Sequence, residues 1–208
     1  TPGTYPTDLF IYYPSRFKAE DPRLPAMILF HPGGKAARYL KRHMVAAESA
    51  GLILISCGTF RNTGTIGVNP QEVKFLARFK EVFNHIVTNL KFDKKRLFMG
   101  GTSGGAFRAF HYTAWVDWPW AGVYSNVGWL GGQLYYELDY ADNMRVAIVN
   151  GSNDFAANAV IERDSKVLYK HNSEIGIIAF EGGHQVPPPK TQLKAFNWLL
   201  SPEDSKEE

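Results

Sequence analysis

Two patterns of apolar residues alternate along this 208-residue chain. The first is the short continuous run: residues 26–31, 52–57, 97–100, 145–150 and 175–180, with shorter runs at 9–13 and 121–125. Runs of this length, rich in Ile, Val, Leu and Phe, predict strands, the continuous ones covered on both faces. The second pattern has helical spacing. Residues 36–50 predict a helix closed by Gly51, since glycine readily takes the left-handed conformation that ends a helix. Asn69-Pro70-Gln71-Glu72 opens the next, with Asn as N-cap, Pro at the first position and Glu at the third. Val73, Leu76, Phe79, Phe83, Ile86, Val87 and Leu90 then repeat on one face. Further helices are predicted from near Gly104 to about Trp115, over 156–171 and over 191–200. A Pro/Gly/Thr-rich lead-in (1–7), a polar connection (14–25), a Gly/Thr/Asn loop (58–68) and an irregular stretch (126–143) fill the rest.

Strand followed by helix at this spacing predicts an α/β fold, a mostly parallel sheet with helices on both faces. One domain over 1–200 and a polar tail over 201–208 account for the chain, with no insertion long enough for a separate cap domain. In such sheets ligands bind beyond the carboxyl ends of the strands, so the residues just after each strand are where chemistry is expected.

Those residues are specific. Residues 97–100 run into Gly101-Thr102-Ser103-Gly104-Gly105. In this G-x-S-x-G pattern a serine sits on a sharp strand-to-helix turn, and the flanking positions must be small because strand and helix nearly touch there. The pentapeptide alone is a weak signal in a glycine-rich chain. However, residues 145–150 run into Gly151-Ser152-Asn153-Asp154, and residues 175–180 into Glu181-Gly182-Gly183-His184. Ser, Asp and His thus fall at one sheet edge, in the chain order of an α/β-hydrolase triad. Ser103 is the candidate nucleophile, His184 the base that takes its proton, and Asp154 the carboxylate that orients the imidazole. Asp139 and Asp142 are rivals to Asp154 but precede a strand, at its wrong end. His43, His85, His111 and His171 lie in helical stretches and read as structural. An oxyanion needs two N–H donors. Gly104 follows the nucleophile and supplies one. The other is expected from His31-Pro32-Gly33-Gly34, where Pro32 has no N–H, leaving Gly33 or Gly34, with Gly33 favoured. His31 is expected to shape that loop.

The segment Phe92-Asp-Lys-Lys-Arg-Leu-Phe-Met-Gly-Gly-Thr-Ser-Gly-Gly105 resembles the nucleophile segment of α/β-hydrolases of the polyhydroxybutyrate depolymerase and feruloyl esterase group. Gly151-x-x-Asp154 and Gly183-His184 resemble that group's acid and base segments, and the likeness extends over roughly residues 26–200. It implies an α/β-hydrolase fold and ester hydrolysis through an acyl-enzyme, with no metal and no organic cofactor.

Composition narrows the partners. The formal net charge is +3, with no basic block, which does not suggest a nucleic-acid partner. No stretch is apolar over a length that would span a membrane. Cys57 is the single cysteine and ends an apolar run, which predicts a buried thiol. The chain starts at Thr1, and a secreted or periplasmic location is slightly favoured, with any leader removed. The expected partner is a small-molecule or polymeric ester. Trp129 and Tyr124, near a strand end, and Phe60 and Arg61, in the 58–68 loop, are candidate substrate-binding residues. Trp115, Trp118 and Trp120 are expected to pack the core. Two other readings stand beside the esterase: a peptidase or acyltransferase on the same triad, and a catalytically silent scaffold used for binding.

Overall fold

The computed structural model describes residues 9–20, 24–63 and 69–201. The predicted lead-in, part of the 58–68 loop and the tail beyond residue 201 lie outside these. Among the described residues, seven strands form one sheet in the order β1-β3-β2-β4-β5-β6-β7. They are β1 (Leu9–Tyr12), β2 (Ala26–Phe30), β3 (Ile53–Cys57), β4 (Leu97–Thr102), β5 (Gly122–Asn126), β6 (Arg145–Gly151) and β7 (Glu174–Phe180). Only β1 runs antiparallel, on β3; every other pair is parallel.

Strand alternation divides the core in two. Ala26, Ile28 and Phe30 of β2 face one layer with Phe79, Phe110 and Tyr112, while Met27 and Leu29 face another with Tyr39, Tyr124 and Phe196. The first layer is covered by α3 (Pro70–Asn89), α4 (Gly104–Trp115) and α6 (Ile161–Tyr169). The second is covered by α1 (Ala36–Lys41), α2 (Met44–Ala50) and α7 (Pro189–Leu200). Cys57 is a buried thiol in the first layer, and Trp120 is buried there too, with Trp115 and Trp118 packed against it. No helix among the described residues is long and apolar enough to cross a membrane.

Three local expectations change. The helix over 36–50 is two helices. His43 Nδ1 pairs with the Tyr39 carbonyl (2.9 Å), the acceptor its own N–H would use in an unbroken helix, and that N–H turns to Leu40 O instead (2.9 Å). A side chain competing for a backbone acceptor in this way breaks the ladder. Gly51 does close the second half in the left-handed region, at φ 68°. The helix over 156–171 is also divided, into the single turn α5 (Phe155–Asn158) and α6. Asp154 caps α5, and Asn158 Nδ2 reaches back to Gly151 O (2.9 Å). Finally, α3 is capped by Asn69, whose side chain accepts the Gln71 N–H at 2.8 Å, but Glu72 does not complete a capping box. It turns inward to Arg108, leaving Val73 exposed and Val82 on the buried face.

Candidate active site

The turn after β4 forces one residue into a strained conformation. Ser103 has φ 52° and ψ −125°, a region that residues with a Cβ rarely occupy. It persists because its surroundings fix it. The Ser103 N–H donates to Asn126 O (2.9 Å), and its carbonyl accepts from the Ala106 and Phe107 N–H groups (2.9 and 3.2 Å). Behind it, Asn126 Nδ2 donates to Thr102 Oγ1 at 2.6 Å. The flanking glycines are required by contact. A Cβ on Gly101 would lie 2.3 Å from the Gly105 backbone, and one on Gly105 would lie 2.1 Å from Phe30 O. The Gly104 N–H, at the first position of α4, has no partner within the helix and sits at the positive end of its dipole.

On one side of Ser103 stand the ends of β6 and β7. Asp154 Oδ2 and His184 Nδ1 are 2.7 Å apart, the carboxylate side chain 4% exposed and the imidazole 44%. Asp154 is fixed further by Oδ1, which accepts the Ala157 N–H at 3.2 Å. The two loops are stitched together: the Ser152 N–H donates to Phe180 O and the Asn153 N–H to Gly182 O, both at 2.8 Å. That closeness requires Gly151, where a Cβ would stand 2.4 Å from the carbonyl oxygens of both Gly182 and Gly183. Trp129 lies beside this pair, with ring centroids 6.3 Å apart from His184, and it lines the same cleft as Ser103. Trp129 thus stands between the two, lining the Ser103 cleft and packing beside the His184 ring that is paired with Asp154. A serine, imidazole and carboxylate set can add an oxygen nucleophile to a carbonyl and hand its proton to nitrogen.

On the other side the predicted residues stand as follows in the fold. Gly33 and Gly34 were the candidates for the second oxyanion donor, yet both N–H groups are occupied within their own loop. Gly33 donates to His31 Nδ1 (3.0 Å) and Gly34 to His31 O (3.0 Å). The His31 ring holds this role as a neutral acceptor; burial, then Lys35, Arg42 and Arg38, lower its pKa below the usual imidazole value. Tyr124 does not reach the cleft. Its side chain points to the second core layer, fully buried against Phe196 and His43, because alternation along β5 sends it there. Phe60 is likewise core, 1% exposed and packed edge-on against Phe30, Phe79 and Tyr112. Arg61 is exposed and is not among the residues that line the Ser103 cleft.

What lines that cleft, about 620 Å³, is Asn62, Ser103, Gly104, Phe107, Trp129, Gly131, Leu134 and Tyr135. Of these, Asn62, Phe107, Gly131, Leu134 and Tyr135 carry no motif that would have singled them out. Phe107 follows Ser103 by one helical turn, which was a usable signal. The segment 126–143 contributes the far wall as loop and one 3₁₀ turn (Gln133–Tyr135). It is anchored from below, since the Leu130 N–H donates to the buried Asp164 Oδ2 (2.7 Å) and Leu130 O pairs with His111 Nε2 (3.2 Å).

The near wall rests on a buried ion pair. Arg108 Nη1 stands 2.8 Å from Glu72 Oε2, both side chains with no exposure. This contact is Coulombic rather than an aligned hydrogen bond, since Glu72 Oε2 has no hydrogen-bond partner. Nη1 donates to the Tyr112 hydroxyl (2.8 Å) and Nη2 to Arg61 O (2.9 Å), while Glu72 Oε1 accepts from Thr63 N and Oγ1 (2.9 and 2.8 Å). The pair thus grips the backbone of 61–63. Among the described residues no three His, Cys, Asp or Glu side chains converge as a metal-ligand set.

No family model matches the chain, and no curated protein does either. Solved structures do. A carboxylesterase from Bacillus cereus aligns with TM-score 0.70 at 18% identity, covering 92% of each chain. A phospholipase/carboxylesterase from Dyadobacter fermentans aligns with TM-score 0.68 at 17% identity, over 92% of this chain and 96% of that one. The fluorophosphonate-binding serine hydrolase FphF of Staphylococcus aureus aligns with TM-score 0.66 at 12% identity, over 93% and 92%. The architecture is the α/β-hydrolase fold.

Proposed function

We propose that this chain is a serine-dependent carboxylic ester hydrolase. The observation that carries the reading is the Asp154–His184 contact at 2.7 Å, joined through Trp129 to the cleft into which the strained Ser103 opens. In this reading His184 takes the Ser103 proton as Oγ bonds to the ester carbon and the carbonyl π pair moves onto oxygen. Collapse re-forms the carbonyl and breaks the bond to the alcohol oxygen, which leaves with the proton from His184. Water repeats the sequence on the acyl-enzyme, releasing the acid and Ser103. In this reading Asp154 engages Nδ1, leaves Nε2 for the serine proton, and stabilises the imidazolium. No metal or organic cofactor enters any step.

Substrates follow from the cleft. Around Ser103 it is lined by two glycines, Phe107, Trp129, Tyr135, Leu134 and Asn62, and segment 126–143 carries no helical apolar face that would act as a lid. Esters with short or compact acyl groups fit this better than long lipid chains. The carboxylesterases among the similar structures and the feruloyl-esterase-like segment 92–105 both favour an ester over an amide. The test is a panel of p-nitrophenyl acetate and butyrate, a feruloyl ester, emulsified triglyceride and a peptide amide, with wild type and Ser103→Ala. Turnover of soluble short esters is expected, lost by a factor of about 10⁴ or more in the variant while its melting curve is kept. Turnover of the amide alone, or activity that survives Ser103→Ala, would overturn the reading.

A further inference from the structure

Neither backbone group predicted as the second oxyanion donor is free. Gly104 offers one N–H, while Gly33 and Gly34 are both occupied by His31. The turn nevertheless has another polar group pressed against it. A Cβ added to Gly104 would lie 1.7 Å from Asn62 Nδ2, 2.8 Å from Cγ and 3.3 Å from Oδ1. The amide nitrogen therefore occupies the space directly over the residue after Ser103. This also explains why the second variable position of the G-x-S-x-G turn is glycine here, since the turn itself does not demand one.

The orientation of that amide is chemically fixed. Asn62 Oδ1 faces Arg108 Nη2 at 3.5 Å. A guanidinium has only donors, so the oxygen must face it and the NH₂ must face the turn. The main chain is fixed as well. The Asn62 N–H donates to Pro32 O (2.8 Å), Arg61 O accepts from Arg108, and Thr63 is bound by Glu72. A donor held on a buried ion pair, beside the residue whose N–H follows the nucleophile, is preorganised and needs no rearrangement during reaction.

We propose that the Asn62 side-chain amide is the second oxyanion donor, acting opposite the Gly104 N–H in place of the glycines after β2. This rests on the ester-hydrolase reading, in which Ser103 Oγ adds to the carbonyl and its oxygen takes the negative charge. Asn62 then donates one N–H of Nδ2 to that oxygen, and no bond to Asn62 forms or breaks. The interaction strengthens as charge develops, so its loss falls on kcat rather than on KM.

The experiment compares wild type, Ser103→Ala, Asn62→Ala and Asn62→Asp on p-nitrophenyl butyrate. Inhibition by an aryl trifluoromethyl ketone, which forms an oxyanion adduct with the serine, is a second readout. Asn62→Ala is expected to lower kcat about 10²- to 10³-fold with KM changed no more than threefold, and to weaken the ketone comparably. Asn62→Asp keeps the shape but places a carboxylate beside the oxyanion, and should lose at least as much. It also serves if the alanine variant does not fold. A folded Asn62 variant with kcat within threefold of wild type, or one whose loss lies in KM with ketone binding unchanged, overturns the proposal while leaving the esterase reading intact. Absence of Ser103-dependent ester turnover in wild type overturns both.

Discussion

The two sides of the Ser103 cleft are built on different principles. The side of Asp154 and His184 is built from strand ends. Each residue follows its strand by three or four positions, and backbone hydrogen bonds between neighbouring loops set the geometry, with Gly151 letting them approach. The side of Asn62 is built from a buried side-chain network. Its loop follows β3, but its position is set largely by Arg108 of α4 and Glu72 of α3, residues further along the chain. The first kind of construction depends on the sheet. The second depends on a charge pair that is costly to bury and more costly to break. Perturbations should therefore separate the two sides.

The largest effect is expected on the strand-end side. Asp154→Asn keeps the shape of the residue but replaces a carboxylate facing His184 Nδ1 with an amide, and kcat should fall about 10⁴-fold. Urea unfolding should move little, because the Asn side-chain oxygen still caps α5. A loss below tenfold would show that the carboxylate does not orient the imidazole.

On the network side the expected effect is on stability first. Arg108→Met leaves Glu72 buried without its cation, which should cost about 3–5 kcal/mol of unfolding free energy. Arg108→Met with Glu72→Leu removes both charges and should recover much of that loss, read by urea unfolding. The recovered double variant should still show reduced kcat, because the side-chain contacts to Arg61 O, Asn62 Oδ1 and Thr63 are then gone and only backbone bonds such as Asn62 N–H to Pro32 O remain. If the double variant regained full activity, the network would be structural only.

Acid should load a third pair of buried groups. Burial lowers His43 to about 4 and His111 to about 3. The ordinary imidazole value is about 6.5, so between these limits the unfolded chain binds more protons than the folded one. Stability therefore rises with pH across that window. It is complete above about pH 6.5 and is lost as pH falls toward 4, by about 2 kcal/mol for each histidine at pH 5. Asp164, whose carboxyl is raised chiefly by burial, works in the opposite direction at the acid end. Urea midpoints at pH 7.5 and 5.0 test this. An equal midpoint at both would mean that neither histidine is buried neutral. His111 supports Leu130 and the far wall, while His43 lies under the other face of the sheet, so only His111→Gln should also alter KM.

The smallest effect is expected at Trp129, which touches both sides without belonging to either network. Trp129→Ala should raise KM for p-nitrophenyl butyrate by about tenfold, from lost apolar contact of roughly 1–2 kcal/mol, with kcat changed less. An unchanged KM would place substrate elsewhere in the cleft.

Local pattern along the chain is enough to specify the alternation of strands and helices, the left-handed closure at Gly51, and the placing of Ser103, Asp154 and His184 at one sheet edge. These are local properties. Apolar runs specify strands, a parallel sheet puts all their carboxyl ends on one side, and glycines mark where backbones nearly touch. Which side chains face the cleft depends on long-range packing. Tyr124 and Phe60 sat near strand ends in the chain, yet strand alternation and the aromatic packing of α3 and α4 turned them into the core. Glu72 looked like a helix cap because an acid three residues after Asn69 satisfies the local pattern. Its carboxylate instead meets a guanidinium 36 positions later, a partner that sequence spacing does not reveal. Gly33 and Gly34 look like free donors in the sequence, but the first donates to the His31 ring and the second to the His31 carbonyl, while Asn62 gains its place over Gly104 through the Glu72–Arg108 pairing. Local pattern fixes where the backbone goes, whereas the direction of a polar side chain depends on which distant partner satisfies it once it is removed from water.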